Sequence, residues 1–204
     1  MRRTDVNAMN ERTLRIAVAD DEVDMRDFLS RILPHLGHEV VAVAQTGVEL
    51  VEKCRETSPD LVITDIEMPE MDGVDAIREI CRDRPVPTIV VSAHHEEDCI
   101  DRALRQQILA YLVKPIKKSD LQPAIALAMQ RYREFQALHQ QAADLHQALE
   151  DRKLIERAKG ILMTRAKLSE PEAFRRLQLL SSEKNLKMVE IARSIVTAEE
   201  AFAS

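Results

Sequence analysis

Acidic residues, a hydroxyl and a lysine stand where four apolar runs of the first 120 residues end. Asp20 and Asp21 follow the first run, Asp65 ends the third, Ser92 the fourth and Lys114 the fifth. Because the carboxyl ends of strands in an open α/β sheet meet at one crevice, these groups are expected to converge. Carboxylates favour Mg²⁺, and Asp65 would then act as nucleophile toward a phosphoryl group whose oxygens the hydroxyl and ammonium hold. Helix capping would explain one such Asp, but not five groups at four strand ends.

Five apolar runs predict the elements that position this site. Each is rich in Val, Ile and Leu, as strands buried on both faces are. The segments between them repeat apolar residues at helical spacing, including one around Ile100 and Leu104. This alternation predicts an α/β fold, a parallel sheet with helices on both faces. The runs span residues 14–20, 39–44, 61–65, 88–93 and 110–114.

These residues resemble the receiver domain of two-component response regulators over about residues 14–121. The matching motifs are Asp20-Asp21, Asp65-Ile66-Glu67-Met68-Pro69 with Met71-Asp72-Gly73, Ser92-Ala93 and Lys114-Pro115. The resemblance implies a doubly wound, five-stranded flavodoxin-like fold and a sensor histidine kinase that phosphorylates Asp65.

The resemblance also assigns individual roles. It implies Mg²⁺ held by Asp20 or Asp21, by Asp65 and by the backbone carbonyl of Glu67. It implies a phosphoryl-binding Lys114 with a cis bond to Pro115. It further implies a switch pair, in which Ser92 moves to the phosphoryl group and Tyr111 turns inward.

The chain changes character near residue 120. Residues 124–159 hold no Gly or Pro and are dominated by good helix formers, and Ser119 with Gln122 predicts a capping box for the helix start. Apolar residues step by four and three, which predicts a coiled-coil seam and a homodimer through one long helix running to about Ala166. A lone helix packed on its own domain is the alternative. The seam comprises Leu121, Ile125, Ala128, Tyr132, Phe135, Leu138, Ala142, Leu145 and Leu149.

Two further helices are predicted in the tail. Ser169 and Glu172 form a capping box with Pro171 in the first turn, and Ala173, Phe174, Leu177 and Leu180 supply the apolar face. A last helix from about Lys187 buries Val189, Ile191, Ala192, Ile195 and Val196. The predicted organisation is a tail over 1–13, a receiver over 14–121, a coiled-coil helix over 122–150 and a three-helix domain over 151–204.

The tail resembles the ANTAR domain, the RNA-binding module of transcription antitermination regulators. The match runs over about residues 151–197 and rests on the segments 152–163 and 168–174, whereas residues 181–187 are less basic than the family pattern. The resemblance implies a dimer that binds a pair of RNA stem–loops in a nascent transcript.

An excess of basic residues in the tail supports RNA binding independently of the resemblance. Residues 151–193 hold 11 Lys and Arg against 6 Asp and Glu, and aromatic residues make up 3% of the chain. Recognition would therefore use phosphate contacts and loop shape rather than stacking. Gly160 interrupts a run of good helix formers. Close packing of another helix against this position would explain the glycine, and so would close approach of an RNA backbone; we favour helix packing. The candidate RNA contacts are Arg157, Lys159, Arg165, Arg175, Arg176, Lys184 and Lys187.

Charge and composition limit the other function classes. The net charge of −6 divides into −8 for residues 1–120 and +2 for residues 121–204, so overall acidity does not exclude a nucleic-acid partner. A DNA-binding regulator is the alternative, although only Arg193 would read bases from the last helix. No enzymatic output is expected, because the tail has no nucleophile–base pair. Three unpatterned cysteines and no long apolar stretch predict a cytoplasmic protein without a membrane span.

Overall fold

A computed structural model of the chain describes residues 13–93 and 108–203. These residues belong to two compact units, Met1–Phe135 and Gln136–Ser204, and each unit is described by itself. Residues 1–12 of the predicted tail over 1–13, and the helix predicted around Ile100 and Leu104, lie outside the described residues.

The first unit is built on a five-stranded parallel sheet, as the sequence predicts. The strand order is β2-β1-β3-β4-β5, which is a doubly wound arrangement. Its described elements are β1 (Arg15–Ala19), α1 (Val23–His35), β2 (Glu39–Ala44), α2 (Gly47–Thr57), β3 (Leu61–Asp65), α3 (Gly73–Asp83), β4 (Thr88–Ser92), β5 (Ile108–Val113) and the start of α4 (Lys118–Ala166).

Alternate residues of the strands face two separate hydrophobic clusters, because successive side chains of a strand point to opposite faces. On one face Val62 and Val90 pack with α2 and α3. On the other face Ile63 and Val91 pack with α1 and the first turns of α4. This two-sided burial explains why the strands are continuous apolar runs rather than alternating ones.

The predicted coiled-coil seam divides into two parts. Leu121, Ile125 and Ala128 are buried in the core of the first unit, so the alternative of a helix packed on its own domain is correct for this part. Leu138 and Leu145 are 66% and 64% exposed. The predicted seam has one extra three-residue step between Phe135 and Leu138, and only residues before that step are buried within this chain.

The start of α4 corrects the predicted capping box. The helix begins at Lys118, and the backbone N–H of Lys117 donates to Asp120 Oδ2 at 2.9 Å, while Ser119 Oγ donates to Asp120 Oδ1 at 3.0 Å. Asp120 therefore takes the role that was predicted for Gln122. The predicted end at Ala166 is confirmed, and Lys167 follows in the left-handed region with φ 53°.

The second unit packs the end of α4 against α5 (Glu170–Lys184) and α6 (Met188–Ala203). Its core contains Ala158, Leu177 and Val196. The predicted capping box of α5 is present, since Glu172 Oε2 accepts from the backbone N–H of Ser169 at 2.8 Å and from its Oγ at 2.6 Å. Phe174 was wrongly assigned to the apolar face: it is 39% exposed.

Both described thiols of the first unit are free and buried. Burial raises the pKa of Cys54 to about 12, and burial also raises the pKa of Cys81. Among the helices in the described ranges, none is long and apolar enough to cross a membrane.

Candidate functional site

The carboxyl ends of β1, β3 and β5 bring three of the predicted groups together. Lys114 Nζ lies 2.6 Å from Asp65 Oδ2 and 3.0 Å from Asp20 Oδ2. It also lies 2.7 Å from Glu22 Oε1, a carboxylate that the sequence analysis missed. Carboxylate oxygens of Asp20, Asp21, Glu22 and Asp65 all lie within 4.8 Å of one another. The only sequence signal for Glu22 was its place directly after the Asp pair.

One oxygen of this acidic cluster can still accept a cation. Asp20 is 1% exposed, and its Oδ2 lies 3.0 Å from the Lys114 ammonium without a hydrogen bond of good geometry to any described residue. Burial raises the pKa of Asp20, against the opposing effects of the Glu22 backbone N–H and of Lys114. A further positive charge would compensate this buried carboxylate, so the donor set fits a hard divalent cation.

The charge of Lys114 is maintained by its neighbours. Burial alone lowers the pKa of the Lys114 ammonium, but the hydrogen bonds that it donates to Asp65, Glu22 and Asp20 together outweigh burial and raise the pKa. The side chain therefore remains a cation that can contact either a carboxylate or a phosphoryl oxygen.

Backbone contacts orient the carboxylates. Asp65 Oδ1 accepts from the N–H of Ile66 at 2.6 Å and from the N–H of Glu67 at 3.3 Å, which leaves Oδ2 to contact Lys114. Arg26 donates to the backbone carbonyls of Asp20 at 2.7 Å and Asp21 at 2.8 Å. Sequence reasoning missed Arg26, because its role depends on a side chain that reaches back from α1 to the preceding loop.

A glycine sets the position of the loop after β3. The N–H of Gly73 donates to the carbonyl of Ile66 at 2.8 Å. A Cβ added at Gly73 would overlap the backbone carbonyl of Asp65. Any larger residue would therefore displace the segment that carries Asp65 and Glu67.

The two residues of the predicted switch pair lie on adjacent strands. Ser92 is buried at the end of β4, and Tyr111 in β5 packs half-buried against the cluster that contains Val90. Val90 is paired with Tyr111 and Ser92 with Val113, so Ser92 and Tyr111 are on one face of the sheet. The bond between Lys114 and Pro115 is cis, as the resemblance implies.

Lys159, one of the residues predicted to form the basic face of the tail, does not lie free at the surface. Lys159 is 8% exposed, and its Nζ lies 2.9 Å from Glu156 Oε2 and 2.8 Å from Glu170 Oε1. The ammonium thus joins α4 to α5 and contacts two carboxylates that are themselves more than half exposed, so it is committed to this ion pair rather than free for an RNA phosphate.

Two further candidates are at the surface but are ion-paired. Arg157 Nη2 lies 2.9 Å from Glu200 Oε1, and Arg165 Nη2 lies 2.8 Å from Glu199 Oε1. The other four candidates are exposed and form no ion pair with any residue of the described ranges. These four are Arg175, Arg176, Lys184 and Lys187.

Gly160 has no packing role among the described residues. It is exposed in α4, and a Cβ added there would meet nothing within 4 Å. Close helix packing, the explanation favoured from the sequence, is therefore wrong within this chain.

Comparison with known proteins supports both halves of the sequence analysis. The family profile of the response regulator receiver domain matches residues 16–126, and that of the ANTAR domain matches residues 143–196. The chain belongs to the response regulator family. Its ANTAR domain makes it a response regulator with an RNA-binding output, and its receiver domain implies a phosphodonor kinase as partner.

Individual relatives agree with this assignment. The transcriptional regulatory protein PdtaR of Mycobacterium tuberculosis is 42% identical over 193 residues, which cover 95% of this response regulator and 93% of the relative. A response regulator receiver domain from Clostridium thermocellum superimposes with a TM-score of 0.53 at 32% identity, covering 59% of this chain and 98% of that one. A chain of the CheX–CheY–BeF3–Mg²⁺ complex from Borrelia burgdorferi superimposes with a TM-score of 0.51 at 26% identity, and the match covers 54% of this chain and 85% of that one.

Replacing Gly73 by Ala is expected to destabilise the first unit by about 1–3 kcal/mol, because overpacking forces the backbone apart. Urea denaturation monitored by circular dichroism measures the change. A wild-type midpoint for this variant would contradict the close approach of Gly73 to Asp65.

Replacing Gly160 by Ala is expected to do the opposite. Because the added Cβ meets open space and Gly is a poor helix former, the second unit should gain about 1 kcal/mol. The same denaturation assay measures the gain, and Gly73→Ala is the matched comparison. A loss of stability would show that Gly160 is needed for packing after all.

Proposed function

We propose that this response regulator accepts a phosphoryl group on Asp65 from a sensor histidine kinase and thereby controls binding to stem–loops in nascent transcripts, promoting antitermination. The observation that carries the proposal is the meeting of Asp20, Asp65 and Lys114 within 3.0 Å on a chain that also bears an ANTAR domain.

The acidic cluster is proposed to hold Mg²⁺ through Asp20, Asp21, Asp65 and the backbone carbonyl of Glu67. The cation would supply charge neutralisation at the phosphoryl oxygens. Asp65 Oδ2 forms the bond to phosphorus as the P–N bond of the donor phosphohistidine breaks, and the nitrogen keeps the electron pair. Lys114, which now contacts Oδ2, is close enough to exchange that contact for a phosphoryl oxygen.

Phosphorylation is proposed to act through Ser92 and Tyr111. Ser92 would turn to the phosphoryl group, and Tyr111 would fill the vacated space on the same face of the sheet. The repacked face would favour a homodimer through the exposed part of α4, where Leu138, Leu145 and Leu149 form the second half of the seam. A dimer would present two ANTAR domains to paired stem–loops.

The proposed RNA surface uses the candidate residues that are exposed and form no ion pair with any described residue. Arg175, Arg176, Lys184 and Lys187 would contact phosphates, and the scarcity of aromatic residues favours backbone and shape recognition over stacking. The output is proposed to be binding and not catalysis, since the tail sequence offers no nucleophile–base pair.

Phosphorylation is tested with a small phosphoramidate donor and intact-mass measurement. The full chain is expected to gain one phosphoryl group in the presence of Mg²⁺ and none after chelation. Asp65→Asn should gain none, whereas Asp75→Asn, which removes an exposed carboxylate on α3, should behave like the wild type. Modification of Asp65→Asn at the wild-type level would contradict the assignment.

RNA binding is tested by filter binding with a paired-hairpin RNA and with duplex DNA as competitor. Phosphorylated protein is expected to bind more tightly than Asp65→Asn. Arg176→Gln should weaken binding and lower the slope of log K against log salt by about 1, whereas Lys117→Gln in the first unit should not.

Two outcomes of this assay separate the parts of the proposal. Equally tight binding by phosphorylated protein and by Asp65→Asn would refute the switch but not RNA binding. Stronger competition by duplex DNA than by RNA would favour a DNA-binding output.

A further inference from the structure

We propose that Glu199 and Glu200 act as internal substitutes for RNA phosphates: in the free protein they occupy Arg165 and Arg157, two exposed arginines that would join the four residues of the proposed RNA surface once released. The inference rests on the proposed RNA-binding function and adds its regulation.

The geometry at Arg165 is that of anion recognition. Its Nε lies 3.1 Å from both carboxylate oxygens of Glu199, and its Nη2 lies 2.8 Å from Oε1. A guanidinium binds a phosphate through the same fork of donors. Glu199 therefore occupies the donors with which Arg165 would contact RNA. At Arg157 a single Nη2 contact of 2.9 Å to Glu200 has the same effect.

The exposure of these pairs argues against a mainly structural role. The side chains of Arg157 and Glu200 are 58% and 56% exposed, and those of Arg165 and Glu199 are 63% and 29% exposed. Ion pairs at the surface contribute little to stability. Lys159 is the contrast within the same helix, because its side chain is only 10% exposed and contacts both Glu156 and Glu170. Of these three cations, the two arginines are placed to exchange a carboxylate for a phosphate.

The position of the two carboxylates adds an independent observation. Residues 199 and 200 lie beyond the ANTAR match, which ends at residue 196, on the continuation of α6. They lower the formal charge of the tail from +5 over residues 151–193 to +3 over residues 151–204. The extension of α6 therefore opposes RNA in both net charge and local contact.

The consequence is competition at single side chains. When RNA binds, a phosphate oxygen replaces a Glu199 oxygen on Arg165, and the released carboxylate returns to water. An RNA with few other contacts gains too little to displace the carboxylates, so the pairs lower non-specific binding more than cognate binding.

The test is a double-mutant cycle on the full chain, read by equilibrium RNA binding at one salt concentration. Glu199→Gln is expected to tighten binding of the paired-hairpin RNA about two- to fivefold, the size of a surface ion pair. In the Arg165→Gln background the same substitution should have no effect, because the side chain that it frees is missing. Glu200→Gln with Arg157→Gln forms the second cycle, and circular dichroism confirms helix content.

Each other outcome overturns the inference in a recognisable way. If Glu199→Gln tightened RNA binding equally in the wild type and in Arg165→Gln, the effect would come from net charge and not from release of Arg165. Unchanged affinity of both Gln variants, with wild-type RNA binding present, would show that the carboxylates do not compete while the proposed function stands. Absence of RNA binding in the wild type and in every variant would remove the proposed function and this inference together.

Discussion

The contact between the Lys114 ammonium and the carboxylates of Asp20 and Asp65 is the interaction on which the first unit's site depends. These groups come from the ends of three different strands, and only a parallel sheet with this strand order brings them together. Without the ammonium, two largely buried carboxylates would face each other uncompensated, which proteins avoid. Lys114 is thus a counter-ion for the folded chain, and its contact with Asp65 Oδ2 is also the contact that phosphoryl transfer would have to exchange.

The convergence of this site could be predicted because it follows from backbone geometry. Once five apolar runs indicate a parallel sheet, Asp20, Asp65 and Lys114 must share an edge, whatever their rotamers. Glu22 and Arg26 could not be found in the same way. Glu22 directly precedes α1 and Arg26 lies in its first turns, where position along the chain does not determine whether a side chain turns toward the strand ends or toward solvent.

In the second unit, residue type alone does not predict whether a side chain is exposed. Lysine is usually exposed, so Lys159 was assigned to a basic face, yet its side chain lies against the unit and pairs with Glu156 on the same helix and Glu170 on the next. The apolar seam of α4 was ambiguous for a related reason. A four-three spacing states that one side of a helix is apolar, but not whether the same chain or another covers it, and in α4 the answer changes between Ala128 and Leu138.

The bridge formed by Lys159 with Glu156 and Glu170 has a consequence for how this domain can vary. Removing either glutamate leaves the ammonium with half its compensation, and removing the lysine leaves two like charges near each other. The effect of a substitution at any one of the three positions therefore depends on the other two, and Lys159 keeps its second partner only as long as α5 starts where Glu170 can reach α4.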